Sequence, residues 1–478
     1  MATIIKIDPV TRLEGHLKIE VEVDSTNKVI NAHSTGNMFR GFEKILTGRD
    51  PRDAIHITQR ICGLCPVSHA IASVKAIEDS FKFKPTFNAI LLRNLIQSGN
   101  YLSDHILHFY HLALLDYAKG PTQSPWTPGY NIDFRLSDAE NSAIINNYIK
   151  ALDIRRKAHE MTAVFAGKIP HVMSIVPGGV TQKPTAENIS KYKAYLNEVK
   201  AFIDNEYMSD LNLIASKYSD YYSIGKGSGN LLTYGAFDLD ATGNTLFKSG
   251  IYKNGTYSAI DITKIKEYAG CSWYTTDSGD KHPSIGKTEP YYGKAGAYSW
   301  LKAPRYNAEA YEVGPLARMF MNKEYTRGIS VMDRHMARGL ETKKLAQQMI
   351  SWINSVSTTQ SVYTQLGLPT SGIGVGLTEA PRGALGHWVG FSSQRVTNYQ
   401  IVTPTCWNVS PRDDFGQMGA LEQALVGVTI QDINQPIELL RIVHSFDPCT
   451  GCSIHVMDPE KNVKAKFVVS TPSPKGVF

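Results

Sequence analysis

Two pairs of cysteines, each with two residues between its members, carry the clearest chemical signal in this sequence. Cys62 and Cys65 lie near the N-terminal end, and Cys449 and Cys452 lie near the C-terminal end. Two thiolates at this spacing can turn toward one metal ion, and four thiolates complete a tetrahedral shell around a soft or borderline ion. The spacing therefore predicts that the two pairs meet in space around metal.

The spacing alone leaves other kinds of site open. A closed structural zinc site is the commonest use of two such pairs, and a redox-active dithiol of the thioredoxin kind is a weaker alternative. Zinc ribbons usually gather both pairs in a short stretch of chain, whereas 384 residues separate Cys65 from Cys449. This separation favours a site that the whole fold assembles.

The residues after the first pair predict how its thiolates are stabilised. Pro66 suits the first turn of a helix, where backbone N–H groups and the helix dipole favour an ionised sulfur. His69 lies one helical turn beyond Cys65, so that its ring can donate an N–H group to that sulfur.

Other possible ligands have simpler interpretations. His105, His108 and His111 spread over about 240° of a helix surface, so that they cannot bind one ion. Cys271 and Cys406 have no partner nearby in the sequence and are expected to be ordinary buried thiols.

The elements that must position these groups are mainly helices. Apolar residues at spacings of three and four predict a long amphipathic helix within residues 85–120. Similar patterns predict a second helix around residues 145–152, a third after Pro184 with Thr185 as its N-cap, and a fourth over 342–355. Helices of this kind indicate a bundle. The second helix carries the apolar residues Ile145, Tyr148, Ile149 and Leu152.

The strand signals are weaker and lie in separate parts of the chain. Strict alternation from Leu17 to Asp24 predicts a half-buried antiparallel strand that leads into a hairpin. Residues 225–306 are rich in Gly, Tyr, Ser and Thr and predict a β-rich insertion, whereas Pro and Gly in residues 368–386 predict loops. We therefore predict one predominantly helical α+β domain over residues 1–478, with a long-helix bundle core, an N-terminal antiparallel sheet and this insertion.

The composition excludes several classes of protein. The 478 residues contain 50 Lys and Arg against 44 Asp and Glu, a net charge of +6. The charges form no runs, so nucleic acid is not an expected partner. The first residues form no apolar signal segment, and no stretch reaches the 18 or so apolar residues that a membrane span needs. We expect a soluble chain that does not itself span a membrane.

The residues around both cysteine pairs resemble the two signature motifs of the [NiFe] hydrogenase large subunit. The first is RICGLCP from Arg60 to Pro66, and the second runs from Asp447 to His455. The resemblance extends over nearly the whole chain and is weakest in residues 225–306. Further matching segments are Arg12–His16, Phe39–Glu43, His105–Asp116, Glu379–Gly383 and Asn398–Ile401.

The resemblance implies a bimetallic centre. By position, Cys62, Cys65, Cys449 and Cys452 would bind nickel, and Cys65 and Cys452 would also bridge to an iron that carries carbon monoxide and cyanide ligands. In the selenium-containing branch, which this chain resembles in residues 106–111, selenocysteine occupies the position of Cys449. This sequence has cysteine there.

The same resemblance assigns a second metal site and the groups around the first. Glu43, His455 and the backbone carbonyl of Ile401 would bind magnesium, or iron, at the second site. Pro381 and Arg382 would lie beside the nickel–iron cofactor, with Arg382 over its open position.

Two acidic residues would hold that arginine, and a third would move protons. Asp104 and Asp447 would pair with Arg382, and Glu14 would relay a proton from Cys449. The pattern of the following strand instead favours an exposed Glu14, because it lies in phase with the polar face that carries Lys18.

This family oxidises H2 reversibly, and the residues suit that reaction. Separating a hydride from a proton requires a redox-capable metal with an open position and a base within reach. Four of the six cysteines are used at the nickel site, which leaves two. An iron–sulfur cluster of the ferredoxin kind needs four, so this chain cannot bind one as well. The resemblance therefore implies an iron–sulfur small subunit as electron acceptor. The alternatives are a fold-related respiratory quinone-reductase subunit and a zinc-stabilised protein without catalytic activity.

The C-terminal segment predicts processing. Residues 456–478 resemble the extension that a maturation protease removes after nickel-insertion proteins have acted, and an ordinary frayed terminus is the alternative. The resemblance also implies a periplasmic or outward-facing membrane-associated location, reached through an export signal on the small subunit, with a cytoplasmic location as the alternative.

Overall fold

The computed structural model describes residues 3–124, 126–127, 129 and 131–453, and for 452 and 453 it describes the backbone only. Twelve α-helices lie in these ranges. They are α1 (Phe42–Leu46), α2 (Asp53–Thr58), α3 (Pro66–Asp79), α4 (Phe87–Leu107), α5 (Asp138–Ala166), α6 (Ala186–Phe202), α7 (Met208–Lys217), α8 (Pro315–Met321), α9 (Val331–Ser355), α10 (Pro404–Asn408), α11 (Ala420–Leu425) and α12 (Ile437–Ser445).

The strands in the same ranges are short and form several small sheets. They are β1 (Thr3–Ile7), β2 (Leu17–Val23), β3 (Val29–Gly36), β4 (Ile175–Val176), β5 (Gly179–Val180), β6 (Leu231–Thr233), β7 (Ala236–Asp238), β8 (Thr245–Phe247), β9 (Gly250–Lys253), β10 (Thr256–Ser258), β11 (Ile265–Tyr268), β12 (Ala303–Tyr306), β13 (Gly372–Ala380), β14 (Gly383–Ser392) and β15 (Arg395–Val402). The predominantly helical α+β fold that the sequence predicts is confirmed.

Helix α4 forms the centre of the helical core and packs against α5 and α9. Thr86 caps it by accepting a hydrogen bond from the backbone N–H of Ala89, and the chain continues beyond it as a π-helical turn over His108–Ala113. The predicted amphipathic character is wrong, because every side chain from Asn88 to Ile106 is buried. A helix that has protein neighbours on all sides has no solvent-facing side, so it has no need of a separate polar face.

Helices α5 and α6 pack on each other at one side of α4. The predicted cap of α6 is confirmed, since the Thr185 side chain accepts a hydrogen bond from the N–H of Asn188 at 3.1 Å. In α5 the apolar repeat of the sequence does not match the buried face. Tyr148 and Ala151 are buried, whereas Ile149 and Leu152 are about half exposed.

The N-terminal sheet has the order β1-β2-β3 and is antiparallel throughout. Alternate residues of β2 are buried, as the sequence predicts. The Asp24 carboxylate accepts the backbone N–H of Thr26 at 2.8 Å and closes the hairpin, in which Asn27 has φ +59°.

An antiparallel sheet with the strand order β13-β14-β15 begins where the sequence predicts loops, and that prediction is wrong. The glycines that suggested loops allow the strand to lie directly on a helix. A Cβ atom at Gly374 or Gly376 would come within 2.0 or 1.9 Å of the carbonyl oxygens of Ala76 or Ala72 in α3. Glycine serves here for close backbone approach rather than for a turn.

The β-rich insertion that the sequence predicts is present. The chain between residues 225 and 306 forms it, built from β6 to β12. Within the described part of the chain, none of the helices is both long and apolar enough to cross a membrane.

Candidate metal centre

Three cysteine sulfurs converge in the interior of the protein. The Sγ atoms of Cys62, Cys65 and Cys449 all lie within 4.8 Å of one another, and those of Cys62 and Cys449 are 3.2 Å apart. All three residues are at most 1% exposed. A disulfide bond would need about 2.05 Å, so these are separate thiol groups in a spacing that suits a shared metal ion.

The start of α3 positions the first pair. Cys65 is the N-cap of α3 and Pro66 its first residue, as the sequence predicts. The backbone N–H groups of Leu64 and Cys65 donate to the sulfur of Cys62 at 3.2 and 3.3 Å. Such donors stabilise a thiolate, because they place positive charge at the sulfur.

The second pair follows α12 and is held against the N-terminal part of the chain. The N–H group of Thr450 donates to the carbonyl of Glu14 at 2.8 Å, and the N–H of Cys449 donates to the Thr405 hydroxyl at 3.1 Å. Arg40 donates to the carbonyls of both Ile61 and Gly451. One guanidinium therefore joins the two cysteine segments, and nothing in the spacing of the sequence marks Arg40 for this task.

Glu14 lies beside the sulfur of Cys449. The Cys449 thiol donates to Oε2 of Glu14 at 3.0 Å. Burial raises the pKa of Glu14, and the neighbouring Cys62 adds to this effect, while the hydrogen bond from Cys449 opposes it. The strand pattern that favours an exposed Glu14 does not apply, because β2 begins only at Leu17.

Arg382 lies in the turn between β13 and β14 and is buried. Its Nη1 is 2.6 Å from Oδ2 of Asp104, and its Nη2 is 3.0 Å from Oδ1 of Asp447. Burial alone would lower the pKa of Arg382, but both carboxylates hold it well above its usual value. The sulfurs of Cys449 and Cys65 act in the same direction, which makes Arg382 a fixed cation close to them.

The structure also brings together two of the residues expected at a second metal. The backbone N–H of Ile401 donates to Oε1 of Glu43 at 2.9 Å, and the Thr288 hydroxyl donates to Oε2. A cavity of about 40 Å³ adjoins Glu43 and Ile401 and is also lined by Glu267 and Lys302. Those two side chains are buried and 3.6 Å apart. Sequence reasoning missed them, because more than 200 residues separate them from Glu43.

Of the remaining predicted site residues, His69 and Pro381 are described by the structure, whereas the Cys452 side chain and His455 are not. His69 is buried and forms a hydrogen bond through Nδ1 to Nε2 of His387 at 3.1 Å; its predicted bond to Cys65 stays a prediction. Pro381 precedes Arg382 in the turn, and its carbonyl accepts from Nη2 of Arg318 at 2.8 Å. The side chain of Cys452 and the whole of His455, like residues 456–478, lie outside the described residues.

The three histidines of α4 and its extension have three different partners. His105 pairs with Glu341 at 2.9 Å, while His108 and His111 reach the carbonyls of His444 and Tyr148. The three rings therefore have separate partners, and the absence of a shared ion stays a prediction.

The other two cysteines lie apart from the three sulfurs. Cys406 is buried, as expected, and burial raises the pKa of its thiol to about 12. Cys271 is only partly buried, which corrects the expectation of a buried thiol.

Comparison with known proteins adds independent findings. A family model described as nickel-dependent hydrogenase matches residues 40–120 and 118–455, and one described as HoxL-like matches residues 4–35. The chain is 44% identical to the periplasmic [NiFeSe] hydrogenase large subunit of Desulfomicrobium baculatum, over 95% of each chain. It is 32% identical to the quinone-reactive Ni/Fe-hydrogenase large chain of Wolinella succinogenes, over 97% of this chain and 98% of the relative.

Solved structures agree with these sequence relatives. The Ni-Fe-Se hydrogenase from Desulfovibrio vulgaris Hildenborough in the reduced state superposes with a TM-score of 0.92. The two chains are 43% identical, and the match covers 95% of this chain and 100% of that one.

Proposed function

Because this chain belongs to the nickel-dependent hydrogenases and is a large subunit of that family, we propose that it oxidises H2 reversibly at a nickel–iron centre held by Cys62, Cys65, Cys449 and Cys452. The observation that carries the proposal is the convergence of three of these sulfurs within 4.8 Å. Thiolates suit soft and borderline ions such as nickel. The amide donors at Cys62 and the cation of Arg382 fit an anionic sulfur cluster of this kind.

When bound, the centre supplies a redox-active metal pair with an open position for H2. We propose that carbon monoxide and cyanide are the remaining ligands of the iron, as the family resemblance implies. The protein contributes the base. Cys449 takes up the proton and passes it to Glu14, whose Oε2 is 3.0 Å from the sulfur. The raised pKa of Glu14 brings it closer to neutral pH, where a carboxylate accepts and releases protons effectively.

Arg382 holds a permanent positive charge beside the sulfurs. Its two carboxylate partners, Asp104 and Asp447, fix the guanidinium in one orientation. A preorganised charge of this kind stabilises negative charge at the centre without reorganising during the reaction.

We propose that an iron–sulfur small subunit accepts the electrons. Arg60, two residues before Cys62, is exposed, and so is Lys168, while Met173 is half exposed. Burial, together with Arg60 and Lys168, lowers the pKa of His171, while Cys62 acts on it in the opposite direction. Arg60, Lys168 and Cys62 are thus all close enough to His171 to act on it, and we propose this basic surface as the docking face for a partner with acidic residues.

Metal analysis of the protein, produced with its small subunit, tests the function. We expect one nickel and one iron per large subunit, and H2-dependent reduction of a viologen dye. Cys62→Ala should lose nickel and activity, whereas Cys271→Ala, the matched control at a cysteine outside the cluster, should retain both. Zinc alone in the wild-type protein would favour the structural zinc alternative and overturn the proposal.

The second metal is a separate proposal. Glu43, the carbonyl of Ile401 and His455 would hold magnesium, or iron, because oxygen and nitrogen ligands suit a hard cation. Glu43→Gln should lower the magnesium content while the nickel content is retained. An unchanged magnesium content would contradict this assignment.

Maturation and location follow from the family resemblance. We propose that nickel-insertion proteins load the site, that a protease then removes residues 456–478, and that the small subunit directs export to the periplasm or to the outer face of the membrane. The relative in Desulfomicrobium baculatum is named periplasmic. The intact mass of active enzyme should end at His455, and a mass that includes Phe478 would refute the cleavage.

A further inference from the structure

A chain of buried hydrogen bonds lies behind the first cysteine pair. Nδ1 of His69 and Nε2 of His387 are 3.1 Å apart, and Nδ1 of His387 lies 2.8 Å from the Tyr399 hydroxyl. That hydroxyl donates to Oγ of Ser73 at 3.2 Å. All four residues are at most 1% exposed. The chain joins α3, which carries His69 and Ser73, to strands β14 and β15.

His69 is the member that adjoins the metal centre. It follows the N-cap Cys65 by four residues, so both side chains lie on the same face of α3. Cys62 acts electrostatically on its ring.

The chain determines where the proton of each imidazole lies. Tyr399 has one hydroxyl proton and donates it to Ser73, so its oxygen accepts from Nδ1–H of His387. Burial lowers the pKa of His387 well below its usual value, which keeps its ring neutral, and its Nε2 then accepts from Nδ1–H of His69. The opposite order of protons would give His69 an N–H group at Nε2. With Tyr399 donating to Ser73, Nε2 of His69 carries no proton and can only accept, so the N–H group that the sequence predicts for Cys65 is available from Nε2 only in the opposite order of protons.

We propose that His387 and Tyr399 are positioning residues of the metal centre, which hold the ring of His69 beside the first cysteine pair and set which of its nitrogens carries the proton. The inference rests on the proposed function. Partners of this kind, one step removed from the ligands, fix ring orientation and tune the electron density of the sulfur or nitrogen they serve.

Tyr399→Phe tests the proposal, because it removes one hydroxyl and keeps the ring. Tyr192→Phe is the matched control, since Tyr192 is equally buried and donates a single hydrogen bond, to the carbonyl of Leu95 at 2.8 Å. Tyr399→Phe loses two buried hydrogen bonds, to Ser73 and from His387, and Tyr192→Phe loses one, so Tm should fall in both variants and further in Tyr399→Phe. Only Tyr399→Phe should also change the nickel electron paramagnetic resonance spectrum, with kcat about tenfold lower.

A second pair of variants separates positioning from folding. His387→Gln keeps an amide that can reach His69, whereas His387→Leu keeps similar volume without any polar atom. The glutamine variant should recover much of the wild-type spectrum and the leucine variant should not.

The outcomes distinguish this inference from the proposed function. A wild-type protein without nickel overturns both. A nickel-containing Tyr399→Phe variant with the wild-type spectrum and kcat overturns the positioning role alone.

Discussion

Gly451 lies in the second cysteine pair and leaves space for the carboxylate of Glu14. A Cβ atom at this position would lie 1.9 Å from Oε2 and 2.2 Å from Oε1 of Glu14. Unbonded atoms prefer separations of about 3.5 Å, so in Gly451→Ala the carboxylate must withdraw by about 1.5 Å. The distance of 3.0 Å between Oε2 and the Cys449 sulfur would then exceed hydrogen-bond range.

The expected cost follows from the loss of this contact. Misplacing a reacting group by about 1 Å can lower a rate about 100-fold, and a proton-transfer group contributes about 10² to 10⁴. We therefore expect kcat of Gly451→Ala to fall about 100-fold, which corresponds to about 2.7 kcal/mol of activation free energy. Nickel and iron content should stay unchanged, since no proposed ligand is altered.

Two assays with the purified heterodimer check this expectation. H2-dependent dye reduction measures the whole reaction, and exchange of D2 with solvent protons measures splitting and proton transfer without the electron partner. Both should fall together. Gly63→Ala is the matched control in the first cysteine pair, because a Cβ atom at Gly63 meets nothing within 4 Å. A Gly451→Ala enzyme that retains more than about half of the wild-type exchange rate would refute the role of Glu14.

Three further substitutions are predicted from single contacts. Arg382→Lys should lower kcat by about 10² and also lower Tm, because an ammonium group cannot make both planar carboxylate contacts and leaves a buried carboxylate poorly paired. An unchanged rate in the dye assay would contradict this. Gly376→Ala should destabilise the protein by about 3 kcal/mol or more, since its Cβ would lie 1.9 Å from the Ala72 carbonyl, whereas Gly390→Ala in β14 should not; calorimetry compares the two. Burial raises the pKa of Glu422 to about 7, so the stability of the wild-type protein should fall as the pH rises from about 4.5 to 7. In Glu422→Gln this pH dependence of stability should be absent. Equal profiles of Tm against pH in the two proteins would contradict the prediction.

The sequence predicts those parts of the protein that local rules determine. The cap at Thr185, the alternation in β2 and the helix that begins at Pro66 each depend on a few adjacent residues, and each is present. The convergence of the cysteine pairs is predictable for a different reason. Four thiols at this spacing suit one metal ion, and the distance between them along the chain excludes a local ribbon.

The predictions that were wrong, and the residues that were missed, depend on contacts between distant parts of the chain. Gly374 and Gly376 suggested loops, but their lack of side chains lets β13 lie on the backbone of α3. Tyr399 lies in the matching segment Asn398–Ile401 and His387 lies in none, but nothing in the sequence indicates that they bond to Ser73 and His69, which lie more than 300 residues earlier. Arg40 likewise acts on carbonyl groups, which any residue could supply.

The position of the C-terminal segment connects folding to metal binding. Thr450 and Gly451 bond to Glu14 and Arg40, which lie in the first 40 residues, so these contacts hold the segment of the second cysteine pair against the N-terminal part of the chain. Without these contacts Cys62 and Cys65 would be the proposed nickel ligands that the rest of the fold holds, because Cys449 and Cys452 belong to this segment. An extension beyond His455 that delays docking would thus keep the site open for nickel, and its removal would let the four thiolates close around the metal.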